Sequence, residues 1–588
     1  MMAQYRSIKE QHPDSVLFFR LGDFYEMFED DAIEVSRLLN ITLTARGGVP
    51  MAGVPYHAAK NYIKRLLDAG KKVAICEQTL IGEKLAQREV VQVVTPATVI
   101  EDDFLVASDA NFLMAVTIQK GQIVTGYADL GSGRFFVRQV EHDPGYIHLL
   151  ALLEEVRPRE LLVNEDEYFL LGEFKEAIDQ TSAMVTKLPP YQFSAKKAYE
   201  SLLEHFEVHS LKAFGIDDHA PYLSSAGALL SYLQQTARSS LKQIETLTLV
   251  HSAEFLQIDE DSRKSLELFA NLSDGSPRYT LFDSIDSTVT SMGTRKLKQW
   301  VASPLARKET IFSRHRWVDL LYHDREELER VRHELKQVLD LERLTSRVVM
   351  GRHLPKDITG IAQALRGFFL LFDERYRDLL VTTQQEHEKA FALATHIDRA
   401  LNPTHQGPFE EGRVILDGYD SELDELRKIK GGGKELLAEY LEEIKVQTGI
   451  PTVKLGNNRI LGHYLEVTKI HSDKMPATFY RKQTLVNAER FTSDELIALE
   501  RKIQHAVLDA EQYERALYEH LVEETLAAQK TLLAIAAFLS DLDCYQSLAY
   551  RAHISSFVKP EFVDEDCLIV EGGRHPVVEA NLPPGEFV

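Results

Sequence analysis

The sequence predicts a multidomain protein in which α/β domains are followed by a long all-α part. Its 588 residues amount to several domains of roughly 100–200 residues each. Short apolar runs alternate with helical stretches up to about residue 205, whereas helical periodicity dominates beyond it. Hydrophobic residues make up 44% and charged residues 27% of the chain, which is typical of globular proteins and excludes collagen-like and wholly disordered classes.

The first α/β part covers about residues 1–103. Its pattern predicts a strand, a helix, a strand, a helix and two further strands, at residues 16–19, 25–39, 41–44, 62–69, 72–76 and 90–94. Over residues 1–75, 10 basic residues stand against 9 acidic ones, although the whole chain has a net charge of −23. Because salt screens charges beyond roughly 8 Å, a nucleic acid would sense such a local surface more than the total charge.

A second α/β part follows. Residues 111–140 predict a three-stranded meander with turns at Lys120-Gly121 and Gly131-Ser-Gly133, where glycine supplies the positive φ of a tight turn. A helix at residues 145–156 and a strand at residues 160–163 extend this domain to about residue 205.

The C-terminal part predicts one very long helix. No glycine or proline occurs between Pro476 and Pro560, and apolar residues recur at three- and four-residue spacing. Thr492-x-x-Glu495 fits a capping box at the start of this helix.

An insertion with strand character precedes the long helix. Over residues 452–490, seven basic residues against three acidic ones give a net charge of about +4. The basic residues are Lys454, Arg459, Lys469, Lys474, Arg481, Lys482 and Arg490. A basic β tip in an acidic protein indicates a phosphate-contacting surface, and the alternative is a solvated hairpin.

The three cysteines form no C-x-x-C pair, so we expect reduced, buried thiols and neither a disulfide framework nor structural zinc. The N-terminus lacks the apolar stretch of a secretory signal, and no window approaches the roughly 18–20 uninterrupted apolar residues of a membrane helix. These features favour a cytoplasmic protein without a membrane partner.

The segment Gly22-Asp-Phe-Tyr-Glu-Met-Phe28 follows an apolar run that ends in Arg20. By composition alone, Phe24 and Phe28 fit core positions at helical spacing. The segment also closely resembles the motif of the MutS family, DNA mismatch-recognition proteins in which a Phe-x-Glu pair contacts the mispaired base. Further similar segments follow in the family's order, including Ile41-Thr-Leu-Thr-Ala-Arg46, Pro50-Met-Ala-Gly-Val-Pro-Tyr-His57, Asp286-Ser-Thr-Val-Thr290, Gly418-Tyr-Asp420 and Gln483-Thr-Leu-Val-Asn-Ala-Glu-Arg490.

The resemblance implies that Phe24 stacks on the mispaired base, that Glu26 contacts this base and that Arg46 lies near the DNA. Inserting a phenyl ring between base steps costs a few kcal/mol of unstacking and kinks the duplex. A mispair has already lost part of its stacking, so discrimination would come from deformability. The negative charge of the Glu26 carboxylate would weaken binding to intact duplex DNA. We therefore expect recognition of mispaired or unpaired bases in double-stranded DNA, which initiates mismatch repair.

The resemblance also implies a domain organisation. It begins with a mixed α/β mismatch-reading domain (residues 1–103) and a ribonuclease H-like connector (104–205). A helical core with a first lever (206–428), an inserted β clamp (429–492), a returning lever helix (493–556) and the start of an ATPase domain (557–588) follow. The full-length protein would be a homodimer that recruits a downstream repair factor such as MutL in the bacterial nucleoid.

No phosphate-binding P-loop is present, since Lys430-Gly-Gly-Gly-Lys434 is followed by Glu435 and lacks a preceding strand. This chain would therefore hold no cofactor and no ATPase active site, whereas the full-length protein would bind ATP and Mg²⁺. Residues 571–579 resemble the opening strand of the family's ATPase domain, and Phe587 matches its adenine-stacking aromatic residue.

Two other classes of function remain open. Asp129 ends a meander strand where ribonuclease H-like folds carry a metal-binding aspartate, which would suit a metal-dependent nuclease, although two-metal chemistry needs several carboxylates. Long helices alone would suit a structural chromosome-associated protein. His205 and His209 lack a third zinc ligand, so an exposed helix is favoured there. The loops at residues 46–51 and 78–88 are short for the family, which puts phosphate contacts from them in doubt.

Overall fold

A computed structural model describes residues 1–79, 87–237, 241–409, 413–458 and 462–583. The chain forms two compact units. The first comprises Met1–His353, Gly360–Phe391 and the chain from Ala528 onward, and the second comprises Leu354–Thr359 and Ala392–Ala527. As predicted, the chain is a multidomain combination of α/β and helical parts.

A six-stranded mixed sheet forms the N-terminal part of the first unit. Its strands are β1 (Ser15–Leu21), β2 (Phe24–Phe28), β3 (Thr44–Arg46), β4 (Val49–Pro55), β5 (Lys72–Thr79) and β6 (Gln87–Val94). Its helices are α1 (Met2–Gln11), α2 (Glu29–Leu39) and α3 (Ala59–Asp68). The strand order is β3-β4-β2-β1-β5-β6, and only β1 and β5 pair in parallel. The strand predicted at residues 41–44 begins only at its last residue, Thr44.

Both faces of this sheet are covered, because successive residues of a strand point to opposite sides. Val16 and Phe18 of β1 pack into a core with α2 and α3. Leu17 and Phe19 pack on the other side with Tyr5 of α1. All five side chains are buried, so β1 is the centre of a three-layer domain.

The helix predicted at residues 25–39 is wrong over its first four residues. β2 occupies them, and α2 begins only at Glu29. Tyr25 and Met27 are buried in the same core, which fits a strand with a period of two. The pairing of β2 with β1 and β4 therefore overrides the helical spacing of the apolar residues.

The second sheet confirms the predicted meander. Its strands are β7 (Phe112–Gln119), β8 (Gln122–Asp129), β9 (Arg134–Val140), β10 (Glu160–Asn164), β11 (Met184–Leu188) and β12 (Thr248–Leu249), in the order β11-β10-β7-β8-β9-β12. Its helices are α4 (Ile147–Val156), α5 (Glu165–Leu170), α6 (Gly172–Asp179), α7 (Ala195–Phe206) and α8 (Leu223–Ala237). Gly121 and Gly133 adopt φ angles of 75° and 70° at the two predicted turns. A Cβ at Gly126 would lie 3.1 Å from the backbone of Ala226, so this glycine lets α8 pack directly on β8.

Thirteen further helices lie within the described residues after this sheet. They are α9 (Glu260–Ser265), α10 (Leu281–Ile285), α11 (Ser291–Ala302), α12 (Lys308–His323), α13 (Arg325–Leu335), α14 (Leu341–Val349), α15 (Pro355–Leu371), α16 (Gln384–Ala400), α17 (Ser421–Gly431), α18 (Gly433–Thr448), α19 (Asp494–Ala527), α20 (Gln529–Ile554) and α21 (Pro576–Asn581). In the first unit, α20 packs against α11, α12, α13 and α14. It is long and apolar enough to span a membrane by length and composition, but it is mostly buried as a core helix.

The long C-terminal helix is interrupted once. α19 has 34 residues and a length of about 51 Å at 1.5 Å per residue. It ends before Ala528, whose ψ of 1° departs from helical geometry, and α20 begins at Gln529. The side-chain amide of Gln529 donates through Nε2 to the carbonyl of Lys242 and to the carboxylate of Glu245, both at 2.8 Å. No glycine or proline lies at this break. The break coincides instead with the tertiary hydrogen bonds of Gln529.

In the second unit, a four-stranded antiparallel sheet is inserted between α18 and α19. Its strands are β13 (Lys454–Asn458), β14 (Gly462–Thr468), β15 (Phe479–Thr484) and β16 (Ala488–Ser493), in the order β13-β14-β16-β15. Leu465 and Phe491 of the sheet share a hydrophobic core with Tyr440 and Ile444 of α18.

The N-terminal cap of α19 is Ser493, and the predicted capping box at Thr492 is wrong. The Ser493 hydroxyl accepts the Leu496 amide at 3.0 Å and lies 2.6 Å from the Tyr440 hydroxyl. Thr492 belongs to β16, and its buried hydroxyl has no hydrogen-bond partner among the described residues. The strand therefore continues one residue further than the sequence pattern indicates.

This cap predicts opposite responses at adjacent residues. Ser493→Ala removes the acceptor for an orphan helix amide, so we expect it to lower the free energy of unfolding by about 1–2 kcal/mol. Thr492→Val removes a buried hydroxyl without a partner and should be neutral or stabilising. Urea unfolding monitored by circular dichroism would test the pair, and a larger loss in the Thr492 variant would contradict the assignment.

A buried carboxylate joins α20 to the start of α11. Asp543 is fully buried and accepts the amides of Val289 and Thr290 and the Thr290 hydroxyl, at 2.6–3.2 Å. Desolvation by burial raises the pKa of Asp543 to about 6. The native state therefore binds this proton more tightly than the unfolded state does.

The raised pKa of Asp543 predicts a pH dependence of stability. The stabilisation that the native state gains by binding the Asp543 proton more tightly is complete below pH 4. It is lost as the pH rises through 6, because the carboxyl group then ionises in the native state too. Between these pH values the wild-type protein should lose up to about 3 kcal/mol of unfolding free energy that Asp543→Asn, which cannot ionise, does not lose. Parallel urea titrations in both proteins would show this difference, whereas parallel pH profiles would contradict it.

Candidate nucleic-acid interface

The turn between β1 and β2 carries the residues that the sequence singles out. Leu21 of β1 lies opposite Phe24 of β2, and Gly22 turns the chain with a φ of 59°. A Cβ at Gly22 would meet no atom within 4 Å, so the glycine is required for its backbone conformation and not for space. Phe24 is consequently the first residue of β2, at the end of a tight hairpin.

Phe24 is exposed, with 47% of the residue's surface accessible. The next residues of β2 are anchored: Tyr25 and Met27 are buried on one face, and Phe28 packs edge-on against Tyr5 of α1 at 5.1 Å. Phe24 shares the face of Phe28, but α1 buries only the latter. The core interpretation is therefore right for Phe28 and wrong for Phe24, whose ring is available to a ligand.

Cationic and aromatic side chains brace this hairpin. The guanidinium of Arg20 lies 3.7 Å from the ring centroid of Tyr56, and the Tyr56 amide donates to the carbonyl of Asp23 at 2.9 Å. The Nε of Arg88 donates to the carbonyl of Arg20 at 3.2 Å. No local spacing pattern marks these residues, because the contacts join distant parts of the chain.

Glu26 and Arg46, which lie 20 residues apart in the sequence, form an ion pair. Nη1 of Arg46, at the end of β3, lies 3.1 Å from Oε2 of Glu26 on β2. The Glu26 side chain is 16% exposed and that of Arg46 is 55% exposed. The residue directly opposite Glu26 on β4 is Gly53, which has no side chain. The hairpin thus presents the apolar ring of Phe24 close to a carboxylate whose negative charge is balanced by Arg46.

Five of the predicted basic residues occupy exposed positions in or next to the sheet of the second unit. Lys454, Lys469, Lys474, Arg481 and Lys482 are all exposed. Lys454 lies on edge strand β13, and Arg481 and Lys482 lie on the opposite edge strand β15. Arg459 lies outside the described residues. The predicted basic surface is therefore spread over both edges of the sheet.

Two arginines of this sheet are paired with carboxylates. Arg481 lies 3.1 Å from Glu489, and Arg490 lies 3.0 Å from Glu466. Both carboxylates are already included in the net charge of about +4 for residues 452–490, so the other basic residues supply that positive charge. A β-bulge at Lys482, between Arg481 and the next paired residue, is a common feature of edge strands.

The ATPase-like segment does not form the expected strand. Of residues 571–579, only the last four are regular, and they belong to α21. The segment joins none of the three sheets in the described part of the chain, and an unpaired strand would leave its backbone groups unsatisfied. The Nδ1 of His575 instead accepts the Val578 amide at 3.4 Å and caps α21. Phe587 lies outside the described residues.

The nuclease alternative is not supported by the surroundings of Asp129. Its carboxylate is buried and accepts the Gly131 amide at 2.9 Å and the Ser132 hydroxyl at 3.1 Å, so it organises the turn after β8. Across the described ranges, no group of three or more His, Cys, Asp or Glu side chains could hold a metal ion. His205 lies on α7, where its Nε2 is 2.9 Å from the carbonyl of Ile244.

The cysteines match the expectation of free thiols, with one exception in burial. Cys76 and Cys544 are buried, and Cys567 is exposed. Burial raises the pKa of the Cys76 thiol to about 12, which keeps it protonated and unreactive at neutral pH.

Comparisons with known proteins agree on one family. The chain matches models described as MutS domain I, MutS domain II and MutS domain III, at residues 1–103, 111–245 and 261–549. It is 35% identical over 596 residues to a protein of Treponema pallidum (strain Nichols), 34% identical over 605 residues to one of Treponema denticola and 36% identical over 602 residues to one of Salinibacter ruber, each named DNA mismatch repair protein MutS. Each match covers all of this chain and 66%, 68% and 66% of the relative, respectively.

The different environments of two phenylalanines on one strand predict different effects on stability. Phe28→Ala should lower the free energy of unfolding by about 3–5 kcal/mol, because it leaves a cavity under α1. Phe24→Ala should change it by less than about 0.5 kcal/mol, because the ring is exposed. Urea unfolding of both variants checks this, and comparable losses would show that Phe24 is a core residue.

Proposed function

Because this chain belongs to the MutS family, we propose that it recognises mispaired or unpaired bases in duplex DNA and thereby starts DNA mismatch repair. The observation that carries this proposal is the exposed ring of Phe24 at the end of a hairpin whose neighbouring residues Tyr25 and Met27 are buried. An apolar ring held in this way has the chemistry of a wedge that enters between base steps.

Wedge insertion selects mispairs through their weaker stacking. Opening an intact step costs a few kcal/mol, and a mispair has already lost part of that free energy. The wedge is supported by β1 and by the Arg20–Tyr56 contact, so little side-chain or loop ordering has to accompany insertion. Such a readout depends on deformability, which suits a protein that meets many different mispairs.

The exposed basic residues of the second unit would bind the phosphate backbone. This assignment rests on Lys454, Lys469, Lys474, Arg481 and Lys482, and on Arg459 by sequence. Contacts of this kind give affinity without sequence preference. They would hold duplex DNA to a protein whose net charge of −23 otherwise repels it.

Further properties of the whole protein belong to the proposal, because the chain spans about 66% of the length of the first curated relatives. We assign a mismatch-reading domain, a ribonuclease H-like connector, a helical core with levers and a clamp to the ranges given above. For the full-length protein we expect ATP and Mg²⁺ binding, a homodimer around kinked DNA, a partner such as MutL and a cytoplasmic, nucleoid-associated location.

Binding to a duplex with one G·T pair and to its matched control tests the proposal. Fluorescence anisotropy should give wild-type protein a clear preference for the G·T duplex, and Phe24→Ala should reduce the affinity ratio to about one. Phe169→Ala removes a ring that is 66% exposed elsewhere in the first unit, so it should keep the wild-type ratio. A wild-type protein that binds both duplexes equally would reject the proposal.

Glu26→Ala provides a second, opposite response in the same assay. It removes the carboxylate and leaves Arg46 uncompensated, so binding to matched duplex should become severalfold tighter and the preference should fall. Unchanged affinity for matched duplex would show that this carboxylate does not penalise intact DNA.

A further inference from the structure

The ion pair between Glu26 and Arg46 stands next to the proposed wedge. Phe24 and Glu26 are two residues apart on β2 and therefore lie on the same face of the sheet. Arg46 reaches the carboxylate from β3 at 3.1 Å, while more than half of its side chain remains accessible. The pair thus joins a largely buried acid to an exposed base at the edge of the candidate site.

We propose that Arg46 determines specificity by exchanging partners on mismatch binding. A largely buried carboxylate requires a charged or hydrogen-bonding partner, and in the free protein this partner is Arg46. An intact duplex offers Glu26 no unpaired base donor, so the ion pair persists. A mispaired base presents an N–H group that Glu26 accepts, and Arg46 is then released to bind a DNA phosphate. This inference rests on the proposed function.

The exchange needs no change in the fold. The residue directly opposite Glu26 on β4 is Gly53, which has no side chain. Arg46 ends its strand and precedes the turn formed by Gly47 and Gly48, so its exposed side chain has room to turn away from Glu26. The phosphate contact of Arg46 then exists only in the mismatched complex.

This coupling has a signature in the salt dependence of binding. Each protein–phosphate contact changes the slope of log K against log[salt] by about 0.9. The wild-type slope should therefore be steeper by about 0.9 on the G·T duplex than on the matched duplex, which weakens the preference roughly threefold between 50 and 200 mM KCl.

Two variants should abolish the slope difference by opposite routes. In Arg46→Gln neither complex has the contact, so both slopes should equal the lower wild-type value. In Glu26→Gln the arginine is no longer held by a negative charge, so both slopes should equal the higher value. Arg46→Lys retains the charge and should keep the difference. Arg6→Gln is the matched control, because Arg6 is 59% exposed and pairs with Glu29 at 2.7 Å in the same domain; it should leave the difference unchanged.

The outcomes separate this inference from the proposed function. A wild-type protein that prefers the G·T duplex with equal slopes would overturn the exchange but leave mismatch recognition intact. A difference in slope that persists in Arg46→Gln would also overturn it, because another residue would then make the contact. Loss of any G·T preference in the wild-type protein would reject the proposed function itself.

Discussion

The alternation of side chains along β2 is the constraint on which the candidate site depends. Tyr25 and Met27 fill the core beneath the sheet, and Phe28 is held under α1, so the strand can neither slide nor rotate without exposing apolar surface. Phe24 shares a face with Phe28 but is left uncovered. A rigid strand thus presents an apolar ring to solvent. The burial of the other apolar side chains of β2 offsets the unfavourable free energy of exposing that ring.

Charge in this protein is organised in local pairs rather than in a uniform field. Glu26 is matched by Arg46, Glu489 by Arg481 and Glu466 by Arg490. In each pair a carboxylate that is at most one-third exposed has an arginine as its partner, so its negative charge is balanced locally. This explains how a strongly acidic chain can carry surfaces suited to DNA.

Patterns with a local physical cause were predicted from the sequence. The meander followed from glycine turns at Gly121 and Gly133. The helical C-terminal part followed from apolar spacing without glycine or proline, but its break at Ala528 was not predicted. Features set by contacts between distant residues were not predicted. β2 is a strand because β1 and β4 pair with it, and the ion pair of Glu26 and Arg46 depends on the order of three strands. The exposure of Phe24 followed from the family resemblance, since composition alone favoured a core residue.

The most direct test of the central claim is a photo-crosslink from residue 24. Replacing Phe24 with p-benzoylphenylalanine keeps an aromatic side chain at the end of the hairpin and allows covalent capture of whatever it touches. On a duplex with one G·T pair, we predict that the crosslink maps to the mispair and its adjacent step, and that the matched duplex gives little product. Equal crosslinking along both duplexes, or none on either, would contradict the account.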